Sequence, residues 1–226
     1  MTVFNGSTVP DDFPASQFET WYQKLGSAYG GLAGYGLIFE ALNAIPYRFK
    51  ALAEYDQSFT ASINAHRDGQ PFRYHQERDL FGFFSNGYSV FEAFCFALFA
   101  VGTLKNPAHF PLTTEKHEQN VKWRTMQQAY RKAFPNDPIL DALKTIADDA
   151  AFKELGNIRN ILTHRAVGGR ALMATTGPTP APPDSIPRLN NMLLDAGTTS
   201  TRRSHVARLL GSGLEAAHKF VLALRV

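Results

Sequence analysis

Cysteine, long uninterrupted apolar runs and net charge are all scarce in this 226-residue chain. The single cysteine, Cys95, excludes an intrachain disulfide, so packing has to hold the fold, and the thiol fits a reducing compartment. It lies within Phe91-Glu-Ala-Phe-Cys-Phe-Ala-Leu-Phe99, where a thiol packs like a small apolar side chain. The longest apolar window, Val90 to Val101, is interrupted by Glu92 and falls short of the roughly 20 residues that a bilayer span needs. No membrane association is expected. The N-terminal stretch lacks a basic region followed by an apolar one, which argues against a signal peptide. Together these features read as a soluble, cytoplasmic protein. The formal charge is only +3, with a pI near 9.0. That balance tolerates an anionic partner, whereas a sequence-independent DNA coat would carry more positive charge.

Cofactor and metal signatures are missing as well. The glycines at 26, 30, 31, 34 and 36 follow no strand-like run and precede no Gly-Lys-Ser/Thr, so they read as close packing or a helix break rather than a phosphate loop. His117-Glu118 opens a zinc-protease pattern, but Val121 stands where the second histidine belongs. His66, His75 and His109 show no ligand spacing either. No metal site and no cofactor are expected.

What the chain does have is apolar content, 44% with 12% aromatic, arranged with helical period. The reading is an all-α, up-and-down helical bundle with kinked helices and a small β-hairpin or irregular insert after the motif helix described below. It is read as one domain over 1–226, with 1–15 as an irregular lead-in. Ser16 is expected to cap a helix through Phe18, Trp21, Tyr22 and Leu25. Residues 37–66 follow with a kink at Pro46, then a turn at Asp68-Gly-Gln-Pro71. A central helix over 78–104 is apolar nearly all round, which marks burial on several sides. Asn106-Pro107 closes it. Thr113 or Thr114 caps the next helix, which buries Val121, Met126, Ala129, Tyr130 and Phe134, and Asn136-Asp-Pro138 starts another, with a break at Asp148-Asp149. Five prolines (178, 180, 182, 183 and 187) exclude a continuous helix from the insert over 166–199. There 170–175 and 188–194 form the expected hairpin. A last helix over 200–226, capped by Thr199 or Ser200, shows Arg202, Arg203 and Arg208 in its first turns.

The segment Phe152 to Arg165 carries the chemistry. Leu155, Ile158 and Leu162 share one helical face, while Lys153, Asn157, Asn160 and His164 recur at i, i+4, i+7 and i+11 on the other. It should stop near Val167-Gly-Gly169. In the central helix Ser85, Ser89 and Glu92 fall within about 60° of one another. A carboxylate there needs a wet cleft or a cation, and Arg159 is the leading candidate. A histidine that moves protons near neutral pH, a permanently charged arginine and an orienting asparagine form a kit for phosphodiester cleavage. RNA supplies its own 2'-hydroxyl nucleophile, so a metal is optional. Arg159 and His164 lie about 140° apart on an ideal helix. Either the arginine reaches round, or the helix distorts, or Glu92 holds the arginine so that it serves a partner chain's site.

Arg159-Asn160-Ile161-Leu162-Thr163-His164 resembles the R-N-x-x-x-H signature of HEPN domains, and Ser89-Val-Phe-Glu92 resembles that superfamily's polar position in an earlier helix. The resemblance implies a helical bundle, a two-fold homodimer whose motif helices flank a cleft, and metal-independent endoribonuclease activity. It also implies a toxin, phage-defence or RNA-processing role, with an antitoxin or a nucleotidyltransferase as partner. On this reading His164, Arg159, Asn160 and Glu92 are the catalytic set: His164 transfers protons, Arg159 stabilises phosphate charge, Asn160 orients, and Glu92 positions Arg159. Ser89, Lys153, Asn157, Arg165, Arg202 and Arg203 contact the RNA. Two alternatives stay open: a non-catalytic helical dimer, antitoxin-like or scaffolding, and a nucleotide-binding protein of the same fold.

Overall fold

A computed structural model describes residues 3–4, 7–31, 35–65, 70–164, 188–189 and 192–223. Two short antiparallel ladders, β1 (Val3–Phe4) with β2 (Ser7–Thr8) and β3 (Arg188–Leu189) with β4 (Met192–Leu193), accompany the helices. Among the described residues the helices are α1 (Ala15–Tyr29), α2 (Tyr35–Asn64), α3 (Gln70–Lys105), α4 (Glu115–Gln119), α5 (Trp123–Ala133), α6 (Ile139–Asp148), α7 (Ala150–His164) and α8 (Gly197–Ala223). The expected all-α bundle is present, with α3 at its centre and α2, α5, α7 and α8 packed on it.

The sequence explains that arrangement. Along α3, Phe83, Phe84, Val90, Phe91, Phe94, Leu98 and Val101 are almost wholly removed from water, and each apolar side chain so buried contributes roughly 1.5–3 kcal/mol. Small residues set the spacing. A side chain at Gly87 would lie 3.1 Å from Leu155 on α7 and 3.2 Å from Leu52 on α2, so the glycine brings three helices together. On α8, a side chain at Gly213 would meet Phe94 of α3 at 3.0 Å and Ile146 of α6 at 3.2 Å. The Tyr130 hydroxyl donates to the Leu98 carbonyl at 2.7 Å, tying α5 to α3 without leaving a buried donor unmet. Pro46 sits inside α2, as the sequence indicated.

Several boundaries differ from expectation. Pro14, not Ser16, precedes α1, because the Ser16 carbonyl is already inside the helix and accepts from the Thr20 hydroxyl. The helix break expected of the glycine cluster does occur, at Gly30-Gly31. Gln70 and Pro71 belong to the first turn of α3 rather than to a turn before it, a position where proline's missing N–H costs nothing. Thr114 does cap α4, accepting from His117 N, but α4 and α5 are separate helices. The Thr125 hydroxyl accepts from Lys122 N and donates to the Asn120 carbonyl, satisfying the backbone at the break. α8 begins at Gly197, ahead of the expected caps at Thr199 or Ser200, with the Asp195 carboxylate just before it accepting from Gly197 N and the Thr198 hydroxyl. Both strands of the second ladder lie within 188–193; the proposed partner strand at 170–175 and the stop at 167–169 lie outside the described residues.

One expectation about α3 is corrected. Tyr74–Lys105 is long and apolar enough to cross a membrane by length and composition, since glycine, serine and tyrosine extend the window beyond the uninterrupted apolar run. Its apolarity is also matched by packing: 61% of its most apolar window is buried within the bundle.

Candidate functional site

Helix α7 is anchored at its start and along one side. Asp149 separates it from α6 and caps it, accepting from Ala151 N at 2.8 Å. The same carboxylate accepts from Arg208 of α8 at 2.9 Å, and that bond, with help from the backbone N–H groups of Ala151 and Phe152, holds Asp149 below the usual carboxylate range. One turn on, Arg202 grips Glu154 with two parallel bonds, Nη2 to Oε1 at 2.6 Å and Nε to Oε2 at 3.1 Å. Phe152, Leu155 and Ile158 are buried, while Lys153, Asn157, Asn160 and His164 are exposed, so the two faces read from the sequence are there.

Arg159 lies at the margin between those faces. Its Nη2 donates to Glu92 Oε1 at 3.2 Å, its Nη1 donates to Asn160 Oδ1 at 3.1 Å, and its guanidinium carbon stands 5.1 Å from the centre of the Tyr88 ring. Ser89 donates to the other Glu92 oxygen at 3.1 Å. The carboxylate thus meets the cation expected from its sequence position and is also half-exposed at a cleft, the other environment such a carboxylate could have. Two of the five arginine N–H groups have partners among the described residues. Tyr88 is itself supported by Phe152, stacked at 5.9 Å. Gly156 is explained by this ring: a side chain there would come within 3.0 Å of Tyr88. Burial, reinforced by Glu92 and opposed by Arg159, pushes the Tyr88 phenol up, so it stays neutral near neutral pH.

These groups border an open cavity of about 640 Å³ between α3, α5 and α7, lined by Tyr88, Phe91, Glu92, Cys95, Phe96, Val121, Lys122, Trp123, Phe152, Arg159 and Asn160. Burial, then Glu92, pushes the Cys95 thiol up, which excludes it as a ready nucleophile. Among the described residues no group of three or more His, Cys, Asp or Glu side chains could hold a metal ion.

The structure brings Glu92, Ser89, Arg159 and Asn160 together. His164 is exposed in the last turn of α7 and is not among the residues lining the cavity, so one chain does not gather the whole predicted set into one pocket. Lys153 turns back to the Asp148 carbonyl at 3.0 Å, and Asn157 is exposed on its own face. Arg165 lies outside the described residues. The basic patch is corrected: Arg202 is engaged by Glu154, and Arg203 is bound by Asp12 and Asp56, each at 2.7 Å. Both arginines are three-quarters or more buried at the side chain, at 18% and 23% exposure, and serve as internal ties rather than phosphate ligands. The sequence reading missed Tyr88, Lys122 and Trp123 as wall residues. The available signal was aromatic: Tyr88 and Phe96 sit four residues either side of Glu92 in the same helix.

No protein-family model, no curated protein and no solved structure matches this chain.

Proposed function

We propose that the protein is a metal-independent endoribonuclease of HEPN type, whose working site is completed by two copies of the chain. The observation that carries this reading is the state of Arg159. It is oriented by Glu92, Asn160 and Tyr88 at the mouth of a cavity, with three of its five N–H groups without a partner among the described residues, on the same short helix that exposes His164.

In the reaction, the ribose 2'-oxygen attacks the adjacent phosphorus as its proton leaves to a base. The bond from phosphorus to the 5'-oxygen breaks as that oxygen gains a proton. The products are a 2',3'-cyclic phosphate and a 5'-hydroxyl end. His164 moves a proton, and the remaining N–H groups of Arg159 stabilise the charge that builds on the phosphorane oxygens. Asn160 and Glu92 keep the guanidinium in place. One imidazole per chain supplies one of the two proton transfers. A two-fold pairing of α7 helices supplies the second and lets His164 of one copy meet Arg159 of the other.

Incubation of the purified protein with single-stranded and structured RNA in EDTA tests this. Cleavage to cyclic-phosphate ends is expected from the wild type. His164→Ala should reduce the rate by roughly 10²–10⁴, the usual worth of a positioned proton-transfer group. A second reading, a non-catalytic helical module, draws on the same Arg159–Glu92 pair as a fold-stabilising contact. It requires that pair to contribute strongly to stability and the wild type to leave RNA intact.

A further inference from the structure

We infer that the cavity beside Arg159 is a base pocket that receives one unstacked nucleotide of the RNA and favours guanine. The inference rests on the proposed ribonuclease function for its substrate class, and on the cavity itself for its chemistry. At about 640 Å³ the space is in the range of roughly 300–1,000 Å³ typical of small-molecule sites. Its walls are aromatic: Trp123 and Phe96 are only partly buried, so ring surface remains for a base to pack on, while Phe91 and Phe152 close the floor. Aromatic walls beside a cation are the common means of holding an unpaired base.

Polar groups on one side of the pocket give the preference. Glu92 and Asn160 both line the cavity and share one guanidinium, which keeps their polar ends on the same part of its wall. Asn160 Oδ1 accepts from Arg159, and its amide Nδ2 donor has no partner among the described residues. Glu92 accepts one bond at each oxygen and keeps further lone pairs. A carboxylate acceptor beside an amide donor matches the guanine edge, where N1–H and N2–H donate and O6 accepts. Adenine would set its N1 lone pair against the carboxylate. Lys122, which also lines the cavity, is exposed and outside every ion pair among the described residues. It stands at the positive end of α5, where a nucleotide's phosphate would be favoured.

The two tryptophans make the test direct, because Trp21 is sealed in the core and Trp123 forms the cavity wall. Indole N–H resonances of the labelled full chain are followed during titration with GMP, AMP, CMP and UMP, the Trp123 signal being assigned by its loss in Trp123→Phe. GMP should shift that signal saturably and bind about tenfold or more tighter than AMP, the size expected for one bidentate base contact. Glu92→Gln, a half-exposed substitution that keeps the shape, should bring the GMP-to-AMP ratio close to one, and Lys122→Ala should weaken all four nucleotides alike. Equal binding of all four by the wild type, or no shift of the Trp123 signal by any at millimolar concentration, overturns the inference. RNA cleavage without nucleotide binding would remove the pocket and leave the ribonuclease reading intact. GMP selectivity without cleavage would do the reverse.

Discussion

The Arg159–Glu92 pair should be weak as a stabilising contact, and its strength can be bounded from its geometry. It is one hydrogen bond at 3.2 Å between side chains that are 28% and 49% exposed. At that exposure, attraction is screened by water and salt and offset by the entropy of fixing two long side chains. Measured exposed pairs contribute about 0.2–1 kcal/mol. Arg159→Ala also removes the contact with the Tyr88 ring, worth about 0.5–1 kcal/mol at such a site. The single substitution should therefore cost about 1–2 kcal/mol, which in a chain of this length lowers Tm by roughly 2–8 °C. A double-mutant cycle of Arg159→Ala and Glu92→Ala, read by urea unfolding, isolates the pairwise part, expected below about 1 kcal/mol. The better-covered, two-bonded Arg202–Glu154 pair is the internal reference, and it should give the larger coupling. A coupling for Arg159–Glu92 above about 2 kcal/mol, or above the Arg202–Glu154 value, would make the pair a structural tie and refute the functional argument built on it.

The other predictions address packing, pH and assembly. Gly82→Ala would drive a methyl group into the Tyr55 ring across the α2–α3 seam, so chemical denaturation should show a loss of about 1–3 kcal/mol, largely relieved in a Tyr55→Leu background. Asp149 has its folded pKa depressed below the ordinary 3.8, mainly by Arg208, so its charge stabilises the fold above that value and the benefit is lost as pH falls through the lower folded pKa. Asp149→Asn, which keeps a capping side chain, should thus be less stable than wild type near neutrality and converge with it on acidification, as followed by melting across pH. Cys95 should resist thiol reagents in the native state and react fully only on unfolding, because the group is 2% exposed and its thiolate disfavoured. Mixing inactive Arg159→Ala with inactive His164→Ala should restore only part of the RNA cleavage, one imidazole meeting one guanidinium across the two-fold axis while the second proton transfer stays unassisted; activity in a verified mixed dimer no higher than that of either parent would contradict a site shared between chains.

Local signals were legible and distant partners were not. The break between α6 and α7 could be read at Asp148-Asp149 because Asp149 caps the next helix within two residues. The two faces of α7 followed from spacing alone. Pairing Glu92 with Arg159 came from asking what a carboxylate in an apolar helix requires, and the structure meets the need with both a cation and a wet cavity mouth. The arginines of α8 were misread because their partners are 48, 191 and 147 residues away, beyond any local pattern. Trp123 was missed for another reason: α4 and α5 were taken as one helix, which hid the break at Lys122 that presents it to the cavity. Helix starts at Ser16 and Thr199 failed because a neighbouring Pro14 and Asp195 made the better boundary.

The most direct test of the central claim is the RNA product formed in the presence of EDTA by wild-type protein and by His164→Ala. The account predicts 2',3'-cyclic phosphate ends from the wild type and a rate at least about a hundredfold lower from the variant. Intact RNA with wild type, or equal cleavage by both, would contradict it.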